Sequence, residues 1–259
     1  MLHEMDILEW NKVENLFESH ILYRSILRPC AHSGIGSLKI DDIEKPRTAM
    51  YSIPMMVFLA GDSSKSEARE IVESLPQLTI LIPPDEAWKQ LLMDAWGERL
   101  VTNNRTHLDH STLDLNKIRE MKANLPRGYN LKKMDYDAAA QINQEYTMQI
   151  QMYFGTKRNL VDSGIGFGIT KGEKLVSYAY TPFPFEDEFE IQVFTENDPE
   201  YRRKGLATVV SAALIEYGLE NGLVPHWDAA NEASVKLAQK LGYSDPVSWT
   251  AYYYTPEKA

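Results

Sequence analysis

The chain has one cysteine, Cys30, among 259 residues. That excludes an intramolecular disulfide framework and a four-cysteine zinc site. No apolar run approaches the roughly 20 residues of a membrane span. The opening "MLHEMDILEW" carries acidic residues and no apolar core, so it does not read as a signal peptide. A cytoplasmic protein with no membrane partner is the expectation. Basic charge is also scarce: Lys and Arg number 27 against 37 Asp and Glu, a net charge of -10. Residues 1–126 and 127–259 each carry -5, so neither half is a basic surface for a phosphate backbone. No nucleic-acid partner is expected, and the acidic balance favours a cationic substrate. The nucleotide-triphosphate loop GxxxxGK[ST] is absent, and neither an internal repeat nor a low-complexity segment is visible.

What is present is 44% apolar residues, enough for one large domain or two small ones with cores of their own. The Pro/Gly cluster "NLPRGYN", Asn124 to Asn130, is the boundary candidate. It separates an N-terminal α/β domain over 1–124 from a second domain over 125–259. In the first, residues 1–30 read as helical. "SLKIDD", "AMYSIPMMVFLAGD" and "LTILIP" read as strands, "PPDEAWKQLLMDAWG" as a helix and "RLVTNNRTHL" as a strand. In the second, the predicted order is β-α-β-β-β-α-β-α-β, a mixed sheet with helices on it. "GIGFG", Gly164 to Gly168, belongs to a strand there and is not a phosphate loop, since no helix follows it.

The stretch "EYRRKGLATVV", Glu200 to Val210, reads as a helix start. Leu206, Val209, Val210, Ala213, Leu214 and Tyr217 form one apolar stripe at helical spacing. Yet Arg202, Arg203 and Lys204 sit at the positive end of the helix dipole, each at a cost of about 0.3–1 kcal/mol. Gly205 adds about 0.8–1 kcal/mol relative to alanine. Two readings fit. The cations splay into water, or a bound anion pairs with them and with the unpaired N–H groups while glycine and Ala207 permit close approach.

Arg202-Arg203-Lys204-Gly205-Leu206-Ala207 resembles the pyrophosphate loop [Q/R]-x-x-G-x-[G/A] of the GNAT superfamily of acyl-CoA N-acyltransferases. "WDAANEASVKLAQKLGY" resembles that family's second signature, and the wording looks most like the branch that includes zwittermicin A-resistance acetyltransferases. The resemblance covers residues 127–259. It implies a GNAT-like C-terminal domain, with acetyl-CoA as co-substrate and residues 1–124 as a degenerate N-terminal domain of GNAT-like fold. The pyrophosphate would lie on the N–H groups of Arg203 to Thr208, and the pantetheine arm along the backbone of Val193, Phe194 and Thr195. Asn231 and Ser234 would reach the pantetheine amide. Helix capping is the alternative for both.

The resemblance further implies direct acetyl transfer to the amine of a small molecule, such as an amino antibiotic or amino metabolite. A strand N–H at Val193 or Phe194 would polarise the thioester. Glu190 is the candidate base, with a pKa raised by partial burial, and Glu196 the second candidate. Strand alternation places Glu190, Gln192 and Phe194 on one face. The family's acid, a tyrosine four residues before the glycine of "LGY", is replaced by Ala238. The alternative is therefore a non-catalytic CoA-binding or regulatory module. Tyr243 reads as core. His107 and His110 lack a metal motif, and no metal is expected. The oligomeric state stays open between monomer and homodimer.

Overall fold

A computed structural model describes residues 1–77 and 79–255. In chain order the elements begin with β1 (His3–Met5), α1 (Arg24–His32), β2 (Ser37–Ile40), β3 (Thr48–Ile53) and β4 (Met56–Gly61). Next come α2 (Ser66–Glu73), β5 (Ile80–Ile82), α3 (Glu86–Trp96), β6 (Leu100–Asp109) and α4 (Leu115–Ala123). Then follow β7 (Asn130–Lys133), α5 (Tyr136–Ala140), α6 (Gln144–Phe154), α7 (Lys157–Ser163), β8 (Gly166–Lys171) and β9 (Lys174–Tyr180). The last are β10 (Glu188–Glu190), β11 (Gln192–Thr195), α8 (Leu206–Glu220), β12 (Val224–Ala229), α9 (Glu232–Leu241) and β13 (Ser244–Tyr254). The fold is mixed α/β.

The chain forms two compact units, one of Met1–Arg105 with the terminal segment from Trp249, the other of Thr106–Ser248. The Asn124–Asn130 turn lies inside the second. In the first unit β1 to β4 pair antiparallel in sequence order, β5 adds parallel to β4, and Tyr252 and Tyr253 of β13 pair with Leu81 and Ile80. Met50, Leu59, Ile71, Leu81, Trp88, Leu92 and Tyr254 share its core. The expected helix over 1–30 is absent: short 3-10 turns run from Ile7 to Tyr23, and only α1 is α-helical. Asp6 starts the first of these turns by accepting from Leu8 N–H. The strand reading "LTILIP" includes Leu78, which lies outside the described residues.

In the second unit β7, β8, β9 and β11 make an antiparallel sheet, while β10 pairs parallel to β12 and β12 antiparallel to the end of β6. The single apolar stripe expected of α8 is too narrow a description. Eleven of its fifteen residues are buried, because α4 covers a second face. Leu108 and Ile118 pack with Ala212 and Ile215 there, and Glu216, itself buried, pairs with Arg119 and Lys122 of α4.

Each unit thus contains strand residues from the far half of the sequence. The element order also repeats. A strand leads to a helix and then to a strand parallel to the first in β4-α2-β5, and again, with β11 before the helix, in β10-β11-α8-β12.

Candidate functional site

The segment Glu188–Thr195 changes partner along its length. Glu188, Phe189 and Glu190 pair with Val224, Pro225 and His226 of β12. From Gln192 onward the partner is β9 on the opposite edge, while β12 continues against β6. The two strands therefore part after the Glu190–His226 pair. Glu196 N–H donates to Val176 O, which makes Glu196, Phe194 and Gln192 the hydrogen-bonded partners of β9. Val193 and Thr195 alternate with them, so their N–H and C=O groups point into the gap. Of the two N–H groups expected to polarise a carbonyl, Val193 has the right direction and Phe194 the wrong one.

Phe189, Ile191 and Val193 pack on α8, and Trp227 and Ala229 pack on α8 and α9. Glu190, Gln192 and Phe194 consequently lie on the face away from α8, as alternation predicts. Phe194 meets Tyr178 and Tyr146 there, at ring distances of 5.1 and 5.7 Å. Glu190 is buried, and Glu196 is half-buried at the open end of the gap.

The start of α8 corrects one expectation. The helix begins at Leu206, so Arg202, Arg203 and Lys204 occupy the turn before it and not its first turn. Gly205 is the N-cap in the left-handed region, at φ 78°. Glycine is favoured there, and the helix-interior penalty does not apply. The first helical bond is Val209 N–H to Gly205 O, no side chain caps the end, and the first turn holds no acid. The three cations are exposed and form no ion pair among the described residues. Leu206, Ala207 and Thr208 begin α8, with their N–H groups ahead of that first bond. Open N–H groups and unpaired cations are the requirements of an anion site.

Asn231 caps α9: its Oδ1 accepts from Ser234 N–H at 3.0 Å. Ser234 Oγ accepts from Trp227 Nε1 at 3.0 Å. The capping role is present, which leaves the Asn231 amide NH₂ for a ligand. Asn231→Ala should lower Tm by about 2–4 °C, the value of a cap worth about 1 kcal/mol in a chain of this size. Asn231→Asp keeps the acceptor but loses the NH₂ donors. It should hold Tm and, on the expectation that Asn231 reaches the donor, weaken acetyl-CoA binding about tenfold in calorimetry. Ala238 is fully buried beside Trp227 and Tyr243. Tyr243 donates its OH to Pro225 O at 3.0 Å, and burial, with the Glu190 charge adding, pushes its phenol far up. It belongs to the core, as expected.

Sequence reasoning missed a histidine cluster on the same face as Glu190. His226 Nε2 lies 3.0 Å from Glu188 Oε2. The rings of His110 and His107 stand 5.2 and 6.0 Å from that of His226. His107 lies on β6, paired in register with Asp228. The available signal was the outward alternation of His226 and Asp228 around Trp227 in "PHWDA". No group of these residues meets the geometry of a metal site among the described residues.

A family model described as GNAT acetyltransferase matches residues 14–252. The uncharacterized N-acetyltransferase YdfB of Bacillus subtilis is 24% identical, over 98% of each chain. A GCN5-related N-acetyltransferase-like protein of Streptococcus suis, known from its crystal structure, is 26% identical. It covers 96% of this chain and 100% of its own, with a TM-score of 0.78. A tandem GNAT protein from the clavulanic acid biosynthesis pathway shares the fold at 12% identity and a TM-score of 0.58, covering 99% of this chain and 100% of its own.

Proposed function

The chain belongs to the GNAT acetyltransferase family, and from that premise we propose that its second unit transfers an acetyl group from acetyl-CoA to the amine of a small molecule. The observation that carries this reading is the parting of β10–β11 from β12 beside the open, cationic start of α8. Arg202, Arg203, Lys204 and the N–H groups from Gly205 to Thr208 hold the pyrophosphate. The pantetheine arm pairs with Val193 and Thr195 as an added strand, and Asn231 contacts its amide. Val193 N–H polarises the thioester carbonyl. Glu190, at the vertex of the gap, draws in the cationic amine and takes its first proton, directly or through one water. Glu196, at the mouth, adds to the attraction.

The first unit repeats the crossover but not the anion site. α2 starts with Lys65 as N-cap, Glu67 in its first turn and Asp62 just upstream, with no glycine at its cap. Carboxylates there oppose a phosphate. The first unit is read as a GNAT-like repeat that does not bind the donor. The test is Glu190→Gln in a CoA-thiol release assay. It should lower kcat about 100-fold and leave the KM for acetyl-CoA within twofold. An unchanged kcat removes Glu190 from the chemistry.

A further inference from the structure

Acetyl transfer strips two protons from the amine nitrogen, one before attack and one as the tetrahedral intermediate collapses. The departing sulfur must gain a proton, and Ala238 cannot supply it. We propose that His226, held by Glu188, is the acid–base shuttle that carries the second proton from the amine nitrogen to the departing sulfur. This rests on the acetyl-transfer reading above.

Position comes first. His226 is in register with Glu190 at the last paired position before the strands part. Pro225 and Trp227, its neighbours, are buried, and Trp227 packs on α8 and α9. His226 therefore lies on the opposite face, with Glu188 and Glu190. A donor held at the α8 start that threads its arm between the parted strands brings its thioester to this vertex.

Hydrogen bonding comes second. An ionised Glu188 only accepts, so Nε2 carries the proton and donates to it. That leaves Nδ1 as a bare acceptor. It is closed from bulk solvent and has no hydrogen-bond partner among the described residues. A buried polar atom without a partner is costly, and the shuttle requires the arriving thioester to displace what encloses Nδ1. Burial lowers the pKa of His226, and His110 and His107 add to this, while Glu188 partly offsets it. The ring is thus neutral at pH 7 and, once protonated, a stronger acid than an ordinary imidazolium. The charged and titratable groups placed around it are Glu188 and Glu190 on β10, Asp228 on β12, His107 and Asp109 on β6, and His110 after β6.

The step balances. As the C–N bond forms, the carbonyl π pair moves to oxygen. Nδ1 takes the proton of the N⁺–H, directly or through one water, and Glu188 stabilises the imidazolium. The oxygen pair then reforms C=O, the C–S bond breaks with its pair on sulfur, and Nδ1 returns the proton to sulfur. No net charge is left on the histidine.

The test uses the full chain, acetyl-CoA and whichever amine of a panel the wild type turns over fastest. His226→Gln should lower kcat about 100-fold, remove the acid limb of the kcat–pH profile that its protonation produces, and leave the KM for acetyl-CoA within twofold. Glu188→Gln removes a negative charge and lowers the histidine pKa, so its acid limb should move to lower pH with kcat about tenfold down. A His226→Gln enzyme within threefold of wild type, or one that keeps the same limb, overturns the proposal. If that variant does not fold, the Glu188→Gln profile decides: an unmoved limb is fatal. Ring ¹⁵N spectra of the wild type should show the Nε2–H tautomer at pH 7.5, and the Nδ1–H tautomer is contradictory. Acetyl-CoA binding with no turnover on any amine sinks the transferase reading and the shuttle with it, whereas an active His226→Gln enzyme sinks the shuttle alone.

Discussion

Residues 125–259 expressed alone should fail to fold. That fragment lacks Thr106, His107 and Leu108, the β6 residues that pair with β12. It also lacks α4, whose Ile118 packs with Leu108 on Ala212 and Ile215 of α8. Burying Leu108 and Ile118 contributes about 1.5–3 kcal/mol each. Glu216 loses Arg119 and Lys122, and with α4 gone it and the apolar face of α8 beneath α4 open to water. Leu108 and Ile118 account for about 3–6 kcal/mol before the β6–β12 ladder is counted, comparable with the about 5–15 kcal/mol that holds an ordinary domain together. Near-UV circular dichroism of the fragment should show no fixed tertiary signal and its melt no cooperative transition. Residues 106–248 form a compact unit and should melt cooperatively. A cooperative melt of 125–259 matching that of 106–248 would show that β6 and α4 are dispensable.

Gly205→Glu should abolish acetyl-CoA binding at concentrations that saturate the wild type. At φ 78° a side-chain-bearing residue carries about 1–2 kcal/mol of strain. A Cβ there meets nothing within 4 Å, so space is not the obstacle. The carboxylate is, because it places a negative charge at the proposed pyrophosphate position. The strain is present with and without ligand and lowers stability, whereas the repulsion, about 3–4 kcal/mol at an effective dielectric near 20, acts against binding. That corresponds to a Kd higher by about 100- to 1000-fold or more. Gly205→Ala carries the strain alone, so it should lower Tm and bind within about threefold of wild type. Equal affinities for all three proteins in calorimetry would remove the α8 start from the donor site.

The residues differ in how much they disclosed without coordinates. The cation–glycine turn stood out because its charges oppose a helix dipole. Its register did not: the left-handed N-cap at Gly205 moves the helix start to Leu206, and propensity alone does not mark that. Alternation along Glu190–Thr195 gave the correct faces, since a strand has a fixed period. It did not show that the strand exchanges β12 for β9 near Ile191, because partner choice is a long-range property. The 3-10 turns over residues 7–23 defeated helical periodicity, because they bury Trp10, Val13, Phe17, His20 and Tyr23 at a tighter spacing than 3.6. The repeated crossover was hidden for a different reason. Structure repeated between β4-α2-β5 and β10-β11-α8-β12, while the residues at the two helix starts differ, carboxylates at α2 and cations at α8. Glu188 and His226 are 38 residues apart, and only the parallel pairing brings them together.

The central claim is that the site binds acetyl-CoA and uses it on an amine. Wild-type protein, first titrated with acetyl-CoA in a calorimeter, is mixed with a panel of aliphatic, aromatic and aminosugar amines, and free CoA thiol is followed. The account predicts saturable acetyl-CoA binding and amine-dependent thiol release with an N-acetylated product in the mass spectrum. Tight acetyl-CoA binding with no release on any amine would contradict it and favour a CoA-binding regulatory module.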